Sequence, residues 1–392
     1  MVIFKNAKII LKDQIIESYF LAVEDNKIVD IYQDEKKYTG DTIDVKDNYL
    51  SPGFIDIHVH GGGEGDFLDG TEETIHNIIK LHTQHGTTGI YPTTLACDDS
   101  ELCNSIQLIK KVQASHAIGA EILGMHLEGP YLAKAQKGAQ DEKYIKLPCK
   151  EEYESIFQFD NLIKRVTFAP ELEGAIELAD ELSKHNIVAS MGHSEAEYKQ
   201  IKEAYDHGVK LVTHLYSGME GVHRVNGFRR LGMVESAFLL EDMNVEIIAD
   251  GCHLPVELLK LIFKIKGPDR IALITDAMRA AGRESGNSVL GSLQNGQMVI
   301  LKDGVAYMPD FQVFAGSIAT MDRLVRNMYK KVGVKLHEAI KMASLTPSRI
   351  MGCSDRKGSI EKNKDADLVI FDENINIQYV MTKGHTFLNS YQ

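Results

Sequence analysis

Two histidines, two residues apart, close an apolar run in PGFIDIHVHGGG, residues 52–63, and three glycines follow them. On an extended strand residues i and i+2 share a face, so the imidazoles of His58 and His60 project together from the strand's end. That spacing suits a metal ion, but two ordinary polar residues at a strand terminus would read the same way. Other apolar runs end alike. Thr93 and Thr94 close TGIYPTT, Glu128 follows EILGMHL, Glu171 follows RVTFAP, His193 closes NIVASMGH and His214 lies in KLVTHLYS, while Asp250 and Asp276 end VEIIAD and RIALITDA. A single histidine at a strand end is more often a hydrogen-bonded rim residue than a ligand. Four of them with acids at matching positions point to a metal site.

Imidazole and carboxylate donors without a thiolate suit Zn²⁺, Fe²⁺, Mn²⁺ or Co²⁺. Glu128, His193 and His214 offer three ligands from three strands and leave a position open, as catalytic sites do. His58 and His60 are placed for a second ion with Glu128 as the bridge, so one or two ions per subunit are expected. Asp276 follows the wholly apolar IALIT. A carboxylate there can take a proton from an attacking water and return it to a leaving amine. A helix-capping acid is the alternative reading of the same residue.

The elements that position these residues alternate. Strands are expected at 54–60, 88–94, 121–129, 165–171, 186–193, 210–217, 245–250 and 270–277, with amphipathic helices such as TEETIHNIIKLHTQHG and EAEYKQIKEAYDHG between them, each closed by a glycine. Eight strands in this order predict an α/β fold, a TIM-type (β/α)8 barrel whose active face is the C-terminal rim and whose strand interiors are apolar. A doubly wound sheet would call for G-x-G-x-x-G after the first strand, which is missing. Both ends of the chain read as short strands, with a hairpin turn at Asp25-Asn26. The expected domains are a small β-sandwich from residues 1–50 and 355–392 and a metal-dependent barrel over 51–354.

The 392 residues are 44% hydrophobic and 25% charged, a composition that supports a large core, and carry a formal net charge of −13. That charge argues against nucleic acid and membrane surfaces as partners and leaves room for an anionic small molecule met by a local Arg/His cluster. Five scattered cysteines without C-x-x-C spacing, early charges in MVIFKNAKIILKDQIIESYF and no membrane-length apolar run predict a cytoplasmic protein.

With these residues in hand, PGFIDIHVHGGG, HLEGPYL (126–132), KGAQ (137–140), MGHSEA (191–196), THLYSGM (213–219), IADGCH (248–253), LITDAMRAAG (273–282) and FAGSIATMDRLVRN (314–327) resemble, in order, the segments of the amidohydrolase superfamily. Within it they are similar to the family of N-acetylglucosamine-6-phosphate deacetylases. The resemblance implies removal of acetate from N-acetyl-D-glucosamine 6-phosphate, in amino-sugar catabolism and cell-wall sugar recycling, with Glu128, His193 and His214 on the main divalent metal and Asp276 as acid and base. His58 and His60 match members with a second ion. Substrate contacts fall on Ala139, Gln140, Ser217, Gly218, Asp250, His253, Ala315 and Gly316. The sugar phosphate meets His253 and an arginine crossing from a neighbouring subunit, which implies a homodimer. Of Arg224, Arg229 and Arg230, Arg224 is nearest in register.

Some members have histidine where Gln140 stands, and Gln can donate a hydrogen bond but cannot titrate. The galactosamine isomer, differing in one hydroxyl's configuration, is the nearest alternative substrate. A cyclic-amide hydrolase would usually bridge with a modified lysine where Glu128 stands, and a non-catalytic scaffold would have lost ligands. His126 shares a strand face with Glu128 and can orient a ligand, whereas His76, His82, His85, His185, His207 and His337 serve packing or the surface.

Overall fold

The computed structural model describes residues 1–115, 118–158 and 161–390, so the last two residues of the expected terminal domain lie outside it. Eight parallel strands form the barrel: Phe54–Val59, Thr87–Thr94, Met125–Glu128, Ile163–Phe168, Val188–Met191, Leu211–Val212, Asn244–Ile247 and Ile271–Leu273. The last meets the first at the rim, where Val59 bridges Ala277 and the Asp276 N–H donates to the His58 carbonyl at 2.9 Å. Helices Glu72–Gln84 and Tyr198–Asp206 stand where the periodicity puts them. Each is followed by a glycine with positive φ, Gly86 at 88° and Gly208 at 93°, which lets the chain turn out of the helix.

The barrel interior departs from expectation. Its outer surface and helices pack through aliphatic side chains, but the layer beneath the rim is polar and buried: Asp56, His126, Arg165, Thr167, Ser190, Thr213, Glu246 and Thr275. These groups satisfy one another. Thr167 Oγ1 lies 2.8 Å from Ser190 Oγ, 3.0 Å from Thr213 Oγ1 and 2.7 Å from His126 Nε2, and Asp56 accepts from the Thr275 hydroxyl at 2.5 Å. An apolar layer could fill the same space but could not hold polar side chains above it in fixed orientations.

Both chain ends enter one sheet. Across it run His385–Asn389, Ile377–Thr382, Leu368–Phe371, Tyr49–Pro52, Val2–Ile10, Ile15–Glu24 and Lys27–Tyr32, with Asp41–Asp44 along the first half of Val2–Ile10. The hairpin turn is at Asp25-Asn26, with φ of 47° and 66° as a two-residue turn requires. Phe4 and Tyr379 stand three strands apart, about 14 Å in a flat sheet. Their rings nevertheless meet edge-on at 5.8 Å, so the sheet folds over its own core of Phe4, Ile9, Leu21, Leu50, Leu368 and Ile370. A separate antiparallel sheet, Gly286–Leu290, Gln297–Lys302 and Val305–Tyr307, is inserted after the eighth barrel strand and was not anticipated from the sequence.

A seam of ion pairs ties the terminal sheet to the barrel. Fully buried Lys357 reaches Glu121 at 2.7 Å, Asp365 at 3.0 Å and Asp367 at 2.6 Å, and Arg356 reaches Glu121 at 3.0 Å and Asp365 at 2.8 Å. Burial alone would raise the two carboxyl groups, but Lys357 and Arg356 around Glu121, and Lys27 and Lys357 around Asp365, outweigh it and hold each at about 2. Both values lie below the ordinary 4.5 and 3.8. The stability they contribute is therefore complete above the ordinary carboxylate range and is lost as pH falls toward 2. Thermal unfolding should show this loss between about pH 4.5 and pH 2, and Glu121→Gln should flatten it. Lys357→Met strands buried Asp367 without its cation and should cost about 3–5 kcal/mol in urea denaturation.

Candidate metal centre

The ligand candidates sit at or just past the ends of the barrel strands. Glu128 ends the third. His193 and His214 each follow a strand end by two residues and Asp276 by three, and all three take positive φ, at 49°, 28° and 48°. Non-glycine residues rarely adopt that conformation, and it is held here by its surroundings. Gly218 shows how closely: a Cβ on it would stand 2.7 Å from His193 Nδ1 and 3.0 Å from the Gln136 carbonyl, so only glycine fits beneath that ring. The three glycines after His60 also serve close approach. Buried His82 places Nε2 2.9 Å from the Gly61 carbonyl, and a Cβ on Gly62 would come within 2.8 Å of it.

Four imidazoles converge on Glu128. Its Oε1 lies 2.8 Å from His214 Nε2, 3.2 Å from His193 Nε2 and 3.5 Å from His58 Nε2, and its Oε2 lies 3.3 Å from His60 Nε2. The His193 and His214 nitrogens are 3.2 Å apart, as are those of His58 and His60. Asp276 Oδ1 closes the group at 3.1 Å from His60 and 3.5 Å from His58. Two sets of donors therefore share Glu128: Glu128 with His193 and His214, and Glu128 with His58 and His60, the donor atoms of each set lying within 4.8 Å of one another.

The electrostatics fit a cation. Burial disfavours the imidazolium form, yet Glu128 and Asp276 outweigh it, drawing His58 up to about 9 and His60 up to about 10. Burial likewise opposes the Glu128 carboxylate, and the facing histidines hold it well below the ordinary range. Nitrogen lone pairs packed this tightly around two carboxylates need positive charge among them, and borderline divalent ions take this donor set. Asp276 is held below the usual carboxylate value against the effect of burial by His58 and His60, and so stays ionised.

The centre opens into a cleft of about 350 Å³ lined by His60, Glu128, Ala139, Gln140, His193, His214, Ser217, Gly218, His253, Asp276 and Gly316 among the expected residues. His58 lies fully buried beneath it. Asp250 backs the cleft by gripping His253 Nδ1 at 2.8 Å, and Ala315 is buried behind Gly316. Arg224 is elsewhere, on an exposed hairpin of His223–Val225 and Phe228–Arg230. Gln140 has its amide orientation fixed, with Oε1 accepting from the Ala96 N–H at 2.8 Å and Nε2 donating to Glu128 Oε2 at 2.9 Å. Glu171 takes no part and accepts from Ser194 Oγ at 2.7 Å. His126 touches no ligand by hydrogen bond but packs edge-on against the His58 ring at 4.7 Å. A larger cavity of about 520 Å³ between the barrel and the terminal sheet, lined by Glu121, Arg356 and Lys383, gathers no comparable donors.

Sequence reasoning passed over Leu290, Gln312, Val313 and Phe314, which line the cleft from the inserted sheet and the loop after it. The signal was present in the Asp303-Gly304 pair, a two-residue hairpin turn with φ of 55° and 80°. Glu246 and Arg165 were also passed over, although a charged residue inside an apolar strand run marks an inward polar position.

An amidohydrolase family model matches residues 49–387. The N-acetylglucosamine-6-phosphate deacetylase of Bacillus subtilis (strain 168) is 32% identical over 390 residues, covering 98% of this chain and 96% of its own. The N-acetylgalactosamine-6-phosphate deacetylase of Escherichia coli O157:H7 is 33% identical over 336 residues, 86% of each chain. The solved structure of N-acetylglucosamine-6-phosphate deacetylase from Pasteurella multocida superposes with a TM-score of 0.90 at 27% identity, covering 99% of this chain and 100% of the other. The likeness runs through the terminal sheet as well as the rim: the chain belongs to the amidohydrolase family, on its N-acetylglucosamine-6-phosphate deacetylase branch.

Proposed function

We propose that this protein hydrolyses the acetamide of N-acetyl-D-glucosamine 6-phosphate to acetate and D-glucosamine 6-phosphate, in amino-sugar catabolism and cell-wall sugar recycling. The observation that carries the reading is the convergence of Glu128, His193, His214 and Asp276 in one cleft with His253, on a chain similar to such deacetylases along its whole length. Glu128, His193 and His214 hold a divalent ion, Zn, Fe, Mn or Co, and His58 with His60 hold a second where two bind. When bound, such an ion supplies Lewis acidity toward an amide carbonyl and eases deprotonation of water. Asp276, ionised beside His60, accepts the proton of the attacking water and hands it to the amine nitrogen as the C–N bond breaks. Gln140 holds the Glu128 carboxylate at a fixed angle. Ala139, Ser217, Gly218 and Gly316 shape the cleft around the sugar.

His253, oriented by Asp250, meets the phosphate with a cation from outside the subunit. Among the described residues no arginine or lysine lines the cleft. Arg224 and Arg229 face each other across the exposed hairpin without an ion-pair partner among the described residues, and Phe228 beside them is 72% exposed. Like charges directly opposite on paired strands repel, and an anion between them offsets that cost. The protein acts as a homodimer in which this hairpin reaches the neighbour's cleft, with Arg224 on the phosphate. We place it in the cytoplasm, where its five free cysteines suit a reducing medium. No helix among the described residues is long and apolar enough to cross a membrane.

Acetate release by metal-replete protein should favour N-acetylglucosamine 6-phosphate over N-acetylgalactosamine 6-phosphate and over unphosphorylated N-acetylglucosamine. Preference for the galacto isomer, whose deacetylase is also similar to this chain, would move the substrate to that sugar, and no release from any would remove the deacetylase reading. Chelation should abolish turnover and added divalent ion restore it. Asp276→Asn should bind substrate and lose turnover by about 10²–10⁴-fold; near-normal turnover would take the acid/base role from Asp276. Subunits carrying Arg224→Ala, mixed with subunits carrying Asp276→Asn, should regain turnover that neither shows alone. Failure to complement would place the phosphate cation within one subunit.

A further inference from the structure

Three of the four site imidazoles have a partner behind them. His60 Nδ1 lies 3.2 Å from the Thr93 carbonyl, His193 Nδ1 2.8 Å from the Gln136 carbonyl and His58 Nδ1 3.2 Å from Glu246 Oε2. His214 Nδ1 has no partner among the described residues, but the His214 backbone N–H donates to the same Glu246 Oε2 at 3.2 Å. One carboxylate oxygen on the seventh strand thus touches a ligand candidate from the first strand and another from the sixth. The other oxygen, Oε1, pairs with Arg165. Three more Arg165 N–H groups donate to the Ile57 carbonyl at 3.2 Å, Ser190 Oγ at 3.0 Å and Thr213 Oγ1 at 2.9 Å. Both charged side chains are fully buried.

A buried ion pair is a poor source of stability, since apolar residues of similar volume do as well or better. Its position explains its presence. We infer that Glu246, held by Arg165, is a positioning residue for the metal centre: it accepts the Nδ1–H of His58, which turns the Nε2 lone pair toward Glu128, and it pins the backbone at His214 where φ is 28°. The two donor sets are thereby kept at a fixed separation by one oxygen. A carboxylate behind a ligating histidine also makes it a stronger donor than a carbonyl does. The inference rests on the metal reading above.

The test uses the full-length protein, stripped of metal and titrated with Co²⁺, whose visible absorption reports ligand number and geometry. Glu246→Asp keeps a negative charge near Arg165 but withdraws the oxygens by one methylene. The double variant Arg165→Met/Glu246→Gln removes both charges at similar volume. Both should keep the wild-type circular dichroism spectrum, bind Co²⁺ about 10–100-fold more weakly and shift its absorption. With the phosphorylated sugar, kcat should fall while KM holds. Folded variants with wild-type Co²⁺ affinity and absorption would overturn the inference. So would failure of both to fold, which would make the pair a core element only, and so would a wild-type protein that takes up no Co²⁺. Because Co²⁺ uptake is read without turnover, a wild-type protein that binds the ion and releases no acetate would remove the substrate assignment and leave the positioning role standing.

Discussion

Glu128 has four imidazole nitrogens within 3.5 Å, and the rest of the structure answers to that crowding. Lone pairs aimed at one carboxylate repel unless a cation stands among them or protons are taken up, and each ring left free would rotate away. Backbone carbonyls hold His60 and His193, and the polar layer inside the barrel holds the His58 ring and the His214 backbone through Glu246. It replaces the aliphatic filling usual at this depth of a barrel with Arg165, Glu246, His126 and a chain of hydroxyls, each satisfied by a neighbour. The positive φ values at His193, His214 and Asp276 express the same constraint in the backbone. Residues in that conformation cost of order 1–3 kcal/mol each and persist only where the surroundings fix them.

The two sheets outside the barrel divide the remaining work. The terminal sheet takes up both chain ends and is locked to the barrel by Lys357 and Arg356, on a face away from the rim. None of its described residues lines the cleft. The inserted sheet rests on Met278 and Ala315, beside Asp276 and Gly316, so its core is continuous with the segment that carries the acid. Its Leu290, together with Phe314, whose ring meets His253 edge-on at 4.8 Å, walls the cleft with apolar surface. Water excluded there strengthens every charge interaction at the centre.

Much of this was legible in the sequence because strand ends and strand order are local properties. The run from FIDIHVH to RIALITDA gave eight strands in the observed order, and the histidines fell at their ends. The inward polar layer escaped because the barrel's strands were read as apolar lining, while Arg165 and Glu246 become intelligible only once strands four and seven face each other across the interior. The inserted sheet escaped for a different reason. Its strands are three to six residues long and lie outside the βα alternation, although Asp303-Gly304 marked its turn. Arg224 was assigned to substrate by resemblance, and the fold of one subunit sets it on an exposed hairpin.

That hairpin bears on how an acidic chain handles an anionic substrate. A net charge of −13 opposes the approach of a sugar phosphate, and the cleft itself answers with one histidine beyond the ligand set. Cationic side chains placed among the candidate ligands would compete with a metal ion for Glu128 and Asp276. In the proposed dimer, keeping the guanidinium groups on a separate arm would remove that competition. It also divides the substrate's binding energy, since a grip on the phosphate can orient the amide at the centre without altering the charge balance there. On this view the exposed arginines and the buried Arg165 solve one problem from opposite sides. Arg165 balances a buried carboxylate behind His58 and His214, and in the proposed dimer the hairpin would balance the phosphate at the far end of the substrate.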